Sequence, residues 1–139
     1  SYSTFEISNF TISPAKVGMD GKVGISADVT NTGSRSGDEV VQLYINDVEA
    51  NVTRPVKELK GFKRISLNAG EKKTVAFTLP VTSLGFYNAG MKFVVDPGII
   101  RVMLGNSSED IKFEGEFEIT GETTELGNNR TFFSEVEVK

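Results

Sequence analysis

Val23-Gly24-Ile25-Ser26-Ala27-Asp28-Val29-Thr30 is the stretch that decides the fold. Every odd position is apolar and every even one is small or polar. A helix repeats its apolar face every 3.6 residues and a strand every two. The stretch is therefore a strand with one buried face and one wet face. Ile111-Lys112-Phe113-Glu114-Gly115-Glu116-Phe117-Glu118-Ile119 alternates in the same way, with its charges on the outward parity. Val75, Phe77 and Leu79 share a face, as do Val41, Leu43 and Ile45, which leave Gln42 and Tyr44 opposite. Ile100, Val102 and Leu104 alternate with Arg101 and Met103.

Turn signals separate these runs: Asp20-Gly21, Asn31-Thr32-Gly33, Asn68-Ala69-Gly70, Asn88-Ala89-Gly90 and Asp96-Pro97-Gly98. Gly and Asn tolerate positive φ, and Pro presets the corner of a turn. Asn106 to Asp110 reads as a hairpin tip. In the opening strand Phe5 and Ile7 have one phase and Phe10 and Ile12 the other, so a bulge is expected near Asn9. No helical period is sustained. The expectation is an all-β chain, an antiparallel immunoglobulin-like β-sandwich of about seven strands or more.

Composition excludes whole classes of chemistry. The 139 residues contain no Cys and no His, which removes thiol nucleophiles, disulfides, Cys/His zinc sites and His-based triads. A net charge of -4 argues against nucleic acid as a partner. The densest basic run, Lys57 to Arg64, is interrupted by Glu58 and reads as a solvated edge or an interdomain face. No run reaches the roughly 18 apolar residues of a spanning helix, and Ser1 to Thr11 do not read as a signal peptide. No cofactor or metal is expected. Asp38 and Glu39 are adjacent carboxylates, but neighbours on a strand point to opposite faces and make a poor catalytic pair. Glu109-Asp110 lacks the spaced oxygen ligands of a calcium loop.

Several segments in fixed order carry a family resemblance: Val29-Thr30-Asn31-Thr32-Gly33, Gly37-Asp38-Glu39-Val40-Val41-Gln42-Leu43-Tyr44, and Arg54-Pro55-Val56-Lys57-Glu58-Leu59-Lys60-Gly61-Phe62. Ala69-Gly70-Glu71, Pro97-Gly98 and Val102 to Ile111 extend it. The chain resembles the fibronectin type III-like domain of glycoside hydrolase family 3, the β-glucosidase and β-xylosidase type. The resemblance implies a junction at 1–4 and the β-sandwich at 5–121; residues 122–139 have no match in the family and read from their own polar composition as an extension or linker, in which Val136 and Val138 could add an edge strand. The resemblance also implies a module without catalytic residues of its own, packing on the catalytic domains of a parent glycosidase. Such a module would meet a β-linked oligosaccharide only through that enzyme. A Trp common in the family is replaced here in the region of Phe93.

Within that frame Arg54, held extended by Pro55, is a candidate interdomain clamp through its planar guanidinium. Leu59 and Phe62 are candidate anchors of the same docking segment. Tyr44, the one aromatic opposite an apolar row, is a candidate ligand or interface contact. Asn9, Asn51, Asn106 and Asn129 head sequons, which would matter if the chain is secreted in a eukaryote. The sequons lean towards a secreted or periplasmic location, although the family also has intracellular members. The other function class left open by the residues is an independent carbohydrate- or protein-binding module.

Overall fold

A computed structural model describes residues 4–47, 57–127 and 133–139. Arg54, Pro55, Asn51 and Asn129 lie outside the described residues. The strands are β1 (Phe5–Ser13), β2 (Lys16–Val17), β3 (Lys22–Asn31), β4 (Gly37–Asp47), β5 (Glu58–Leu67) and β6 (Lys72–Pro80). A 3-10 turn at Val81–Leu84 leads to β7 (Phe86–Tyr87), β8 (Phe93–Val95), β9 (Gly98–Ser107), β10 (Asp110–Ile119), β11 (Thr124–Glu125) and β12 (Glu135–Val138).

Two sheets face each other, in the order β1-β3-β6-β12 and β2-β10-β9-β4-β5, and a small sheet β11-β8-β7 lies alongside. Among the described residues the ladders are antiparallel except the two-residue pairing of β2 with β10. This is the sandwich that the alternation demands. Val23, Ile25, Ala27 and Val29 are buried, as their parity requires, and so are Val75, Phe77 and Leu79 opposite them. Phe117, Leu43, Leu104 and Leu67 fill the core from the other sheet. Burying a side chain of this size contributes about 1.5–3 kcal/mol, which favours this register over a one-residue slip that would expose every one of them.

The phase break in β1 is a bulge. Ser8 faces Asp28 and Thr11 faces Ser26, so two residues on β1 oppose one on β3. Asn9 takes the left-handed conformation there, φ 53°, which Asn accepts more readily than most residues. Its Nδ2 donates to Asp28 at 2.7 Å, and the Thr74 hydroxyl donates to the same carboxylate at 2.6 Å. The Thr74 bond first, and the Asn9 bond second, hold the Asp28 carboxyl below its ordinary value. A depressed folded-state value gives stability that is present above the unfolded value, about 3.9, and lost as pH falls through the folded one. Asp28→Asn should therefore unfold at lower temperature than the parent chain at pH 7, with the gap narrowing below pH about 4. Thermal melts at the two pH values check this.

The final strand runs antiparallel to β6, with Val136 opposite Phe77 and Val138 opposite Val75. Both valines pack on the core from the sheet edge. The stretch before it is not bare coil, since Thr124 and Glu125 pair with β8 and Leu126 packs on the core.

Candidate docking face

The two outer faces of the sandwich differ in chemistry. On the four-stranded sheet, outward rows read Glu6–Thr30–Lys72, Ser8–Asp28–Thr74 and Thr11–Ser26–Ala76–Glu137. Such a face is wet in every row. On the five-stranded sheet one row reads Glu114–Met103–Tyr44–Leu59 and the next Gly105–Gln42–Phe62, followed by Val40 beside Arg64. The centre of that face is apolar and its borders are charged, with Glu116 and Arg101 on one side and Arg64 and Asp38 on the other.

Leu59 and Phe62 both lie on this face, paired with Tyr44 and Gln42 respectively. Phe62 is 59% exposed, whereas Leu59 is half-buried. Covering so open an aromatic would remove apolar area from water. Tyr44 is only 9% exposed, and its hydroxyl donates to the Gln42 side-chain oxygen. Its ring is part of the packed layer beneath the face, together with buried Met103.

The basic run of β5 is not uniformly solvated. Lys60 is 3% exposed, with its ammonium 2.7 Å from Glu58. Arg64 donates to Asp38 at 2.9 Å, and Lys57 donates to the Ser108 carbonyl. Buried ammonium groups need a carboxylate nearby because desolvation is costly, and this explains Glu58 inside the run.

Asp38 and Glu39 diverge as strand geometry requires. Asp38 accepts from the Ser66 hydroxyl at 2.7 Å and from Arg64. The Ser66 bond first, then Arg64, holds its carboxyl below the ordinary value. Glu39 instead accepts from Asn106 Nδ2 and from the Val40 amide. A carboxyl held ionised by two donors is a poor general acid, and the second carboxylate is committed elsewhere. Asn106 spends its Nδ2 on Glu39, and its buried Oδ1 has no hydrogen-bond partner among the described residues. Asn9, the other described sequon residue, is exposed.

Two features show in the sequence only as turns. One is the hairpin of the small sheet, where Met91 is 79% exposed at φ 61° beside exposed Tyr87, whose ring meets Phe93 edge-on at 5.0 Å. Asn88 builds this turn by accepting from the Gly90 and Lys92 amides. The other is Asn31, a fully buried polar side chain that ties three segments together.

Comparison with known proteins agrees with this architecture. The profile of the fibronectin type III-like domain matches residues 39–108. A periplasmic β-glucosidase of Salmonella typhimurium is 46% identical over 86% of the chain, and a thermostable β-glucosidase of Acetivibrio thermocellus is 38% identical over 99%. The chain spans only 15% and 18% of those curated relatives. A crystal structure of a Listeria innocua β-glucosidase in complex with glucose superposes with a TM-score of 0.80 at 39% identity, covering 87% of this chain and 16% of that one. The chain belongs to the fibronectin type III-like domain family, in the form carried by β-glucosidases of glycoside hydrolase family 3.

Proposed function

We propose that this chain is the non-catalytic structural module of a family 3 β-glycosidase. It docks on the catalytic domains through the outer face of its five-stranded sheet, stabilises them and borders the substrate entrance. The observation that carries this reading is the contrast between the two outer faces. One is polar in every row, and the other sets exposed Phe62 over an apolar layer with charged borders. The small share of each relative that the chain spans supplies the partner, because the rest of such an enzyme must contact this domain somewhere. The divergent Asp38 and Glu39 support the absence of chemistry here. The isolated chain is expected not to hydrolyse an aryl β-glucoside, and turnover that co-purifies with the chain would refute the reading.

Phe62→Asp separates docking from folding. In the isolated chain the side chain is largely in water, so the change should move stability by no more than about 0.5 kcal/mol. In the full-length glycosidase the same change buries a carboxylate at the domain interface. The first unfolding transition of the multidomain enzyme should move to lower temperature, because the domain interface is weakened. An equal first transition for the two full-length proteins would count against docking through Phe62.

Exposed Tyr87 favours a second reading, an independent glycan-binding module, because sugar faces pack on open aromatic rings. That reading predicts saturable NMR shifts at Tyr87 and Met91 on titration with a soluble β-glucan oligosaccharide, abolished by Tyr87→Ala. An unchanged spectrum leaves the structural reading alone.

A further inference from the structure

β5 does not run evenly past β4. Leu43 faces Gly61 and Tyr44 faces Leu59, so Lys60 is one residue too many, a β-bulge. Leu59 and Phe62 are three positions apart and would point to opposite faces of a regular strand. The extra residue restores the phase, and both pair with outward residues of β4. The docking patch exists because the strand is bulged between its two anchors.

A bulge leaves its extra residue outside the ladder, and here the C-terminal segment supplies a bond. Ser134 donates its backbone N–H at 2.7 Å and its hydroxyl at 3.1 Å to the Lys60 carbonyl. Gly61 permits the approach, since a Cβ at that position would lie 2.3 Å from Ser134 Oγ and 3.0 Å from the Phe77 ring. Beyond Ser134, β12 zips onto β6, and Lys139 and Thr74 exchange two backbone bonds of 2.9 Å. Residues 133–139 thus run from β5 in one sheet to β6 in the other.

Building on the docking reading, we propose that this C-terminal segment is a clasp that holds the docking face in its binding shape, with Ser134 as the positioning residue. The partner surface is that of the catalytic domains, and the clasp acts on it through the Lys60 bulge. A segment that merely added an edge strand would leave Ser134 without influence on docking.

Two variants and two readouts test this. Ser134→Pro removes both donors, while Val138→Thr weakens the zipper without touching Lys60. In the isolated chain, amide exchange at Leu59, Gly61 and Phe62 should quicken about tenfold in the Pro variant, the loss of roughly one hydrogen bond's worth of protection. It should stay near the parent rate in the Thr variant. In the full-length glycosidase, hydroxyl-radical labelling of Phe62 should rise several-fold with Ser134→Pro and not with Val138→Thr. If the Pro variant does not fold, Ser134→Ala decides, with a smaller rise expected at the same amides. Unchanged exchange and labelling in a folded Ser134 variant overturn the clasp. Heavy labelling of Phe62 in the unmutated full-length enzyme would instead overturn the docking reading, and the exchange measurement would still decide the clasp.

Discussion

Replacing Asn31 by aspartate is expected to cost about 3–5 kcal/mol of folding stability, the range for a buried charge left without a partner. Asn31 is wholly buried at the end of β3. Its Nδ2 donates to the carbonyls of Arg35 at 2.8 Å and Leu67 at 3.1 Å, and its Oδ1 accepts from the Gly33 amide at 2.9 Å. Its backbone pairs with Glu71 and Gly70 across the β5–β6 turn. One side chain therefore fastens the β3–β4 loop to the end of β5. Aspartate keeps the acceptor but turns the donor end into a carboxylate that faces two carbonyl oxygens. That repulsion disfavours the ionised form and raises the carboxyl's pKa, and protonation relieves it, so the deficit should shrink in acid. Asn31→Ala, which orphans the Arg35 and Leu67 carbonyls and the Gly33 amide without adding a charge, should cost about 2–3 kcal/mol. Urea denaturation of the three proteins checks the order. A loss below about 1 kcal/mol for Asn31→Asp, the range of ordinary surface changes, would mean that the loop is fastened some other way.

Gly105→Ala is expected to cost about 2–4 kcal/mol, because the collision is with backbone and nothing there can rotate away. A Cβ on Gly105 would stand 2.2 Å from the Asp110 carbonyl oxygen and 2.8 Å from the Ile111 Cα. The register of β9 with β10 shifts on both sides of Ile111, so β10 crosses close over Gly105 as it leaves the hairpin tip. Gly24→Ala provides the control on β3. Its new Cβ would meet only the Ser13 carbonyl, at 3.6 Å, an ordinary contact, and it gains from a stiffer unfolded chain. Equal stabilities for the two alanine variants would show that β10 can move off Gly105 freely.

The fold was largely legible because a sandwich strand writes its buried face into every second residue. Val23 to Val29 need no partner information to declare which side is inward, and the phase break at Asn9 betrays a bulge by the same rule. The bulge at Lys60 left no such trace. Leu59-Lys60-Gly61-Phe62 is too short to show a change of phase, and a lysine in a basic run reads as solvated until Glu58 and a packed edge surround it. Asn31 looked like an ordinary turn residue because Asn-Thr-Gly is sufficient local reason for a turn. Its tie to Leu67 spans 36 positions and has no local signature. Parity alone puts Tyr44 opposite the Val41, Leu43 and Ile45 row, but its burial at 9% exposure, between Met103 and Leu59 in the row, has no local signature. The hairpin that exposes Tyr87 and Met91 was visible as a turn, not as a surface.

On the proposed reading the chemistry lies in other domains of a parent glycosidase, and the central claim is which face meets them. Hydroxyl-radical footprinting of the isolated chain and of the full-length glycosidase, compared side chain by side chain, tests that most directly. Phe62, open in the isolated chain, is expected to be strongly protected in the full-length enzyme. Side chains on the outer face of the four-stranded sheet, such as Glu6 and Lys72, should label equally in both. Protection of that polar face with Phe62 still open would contradict it.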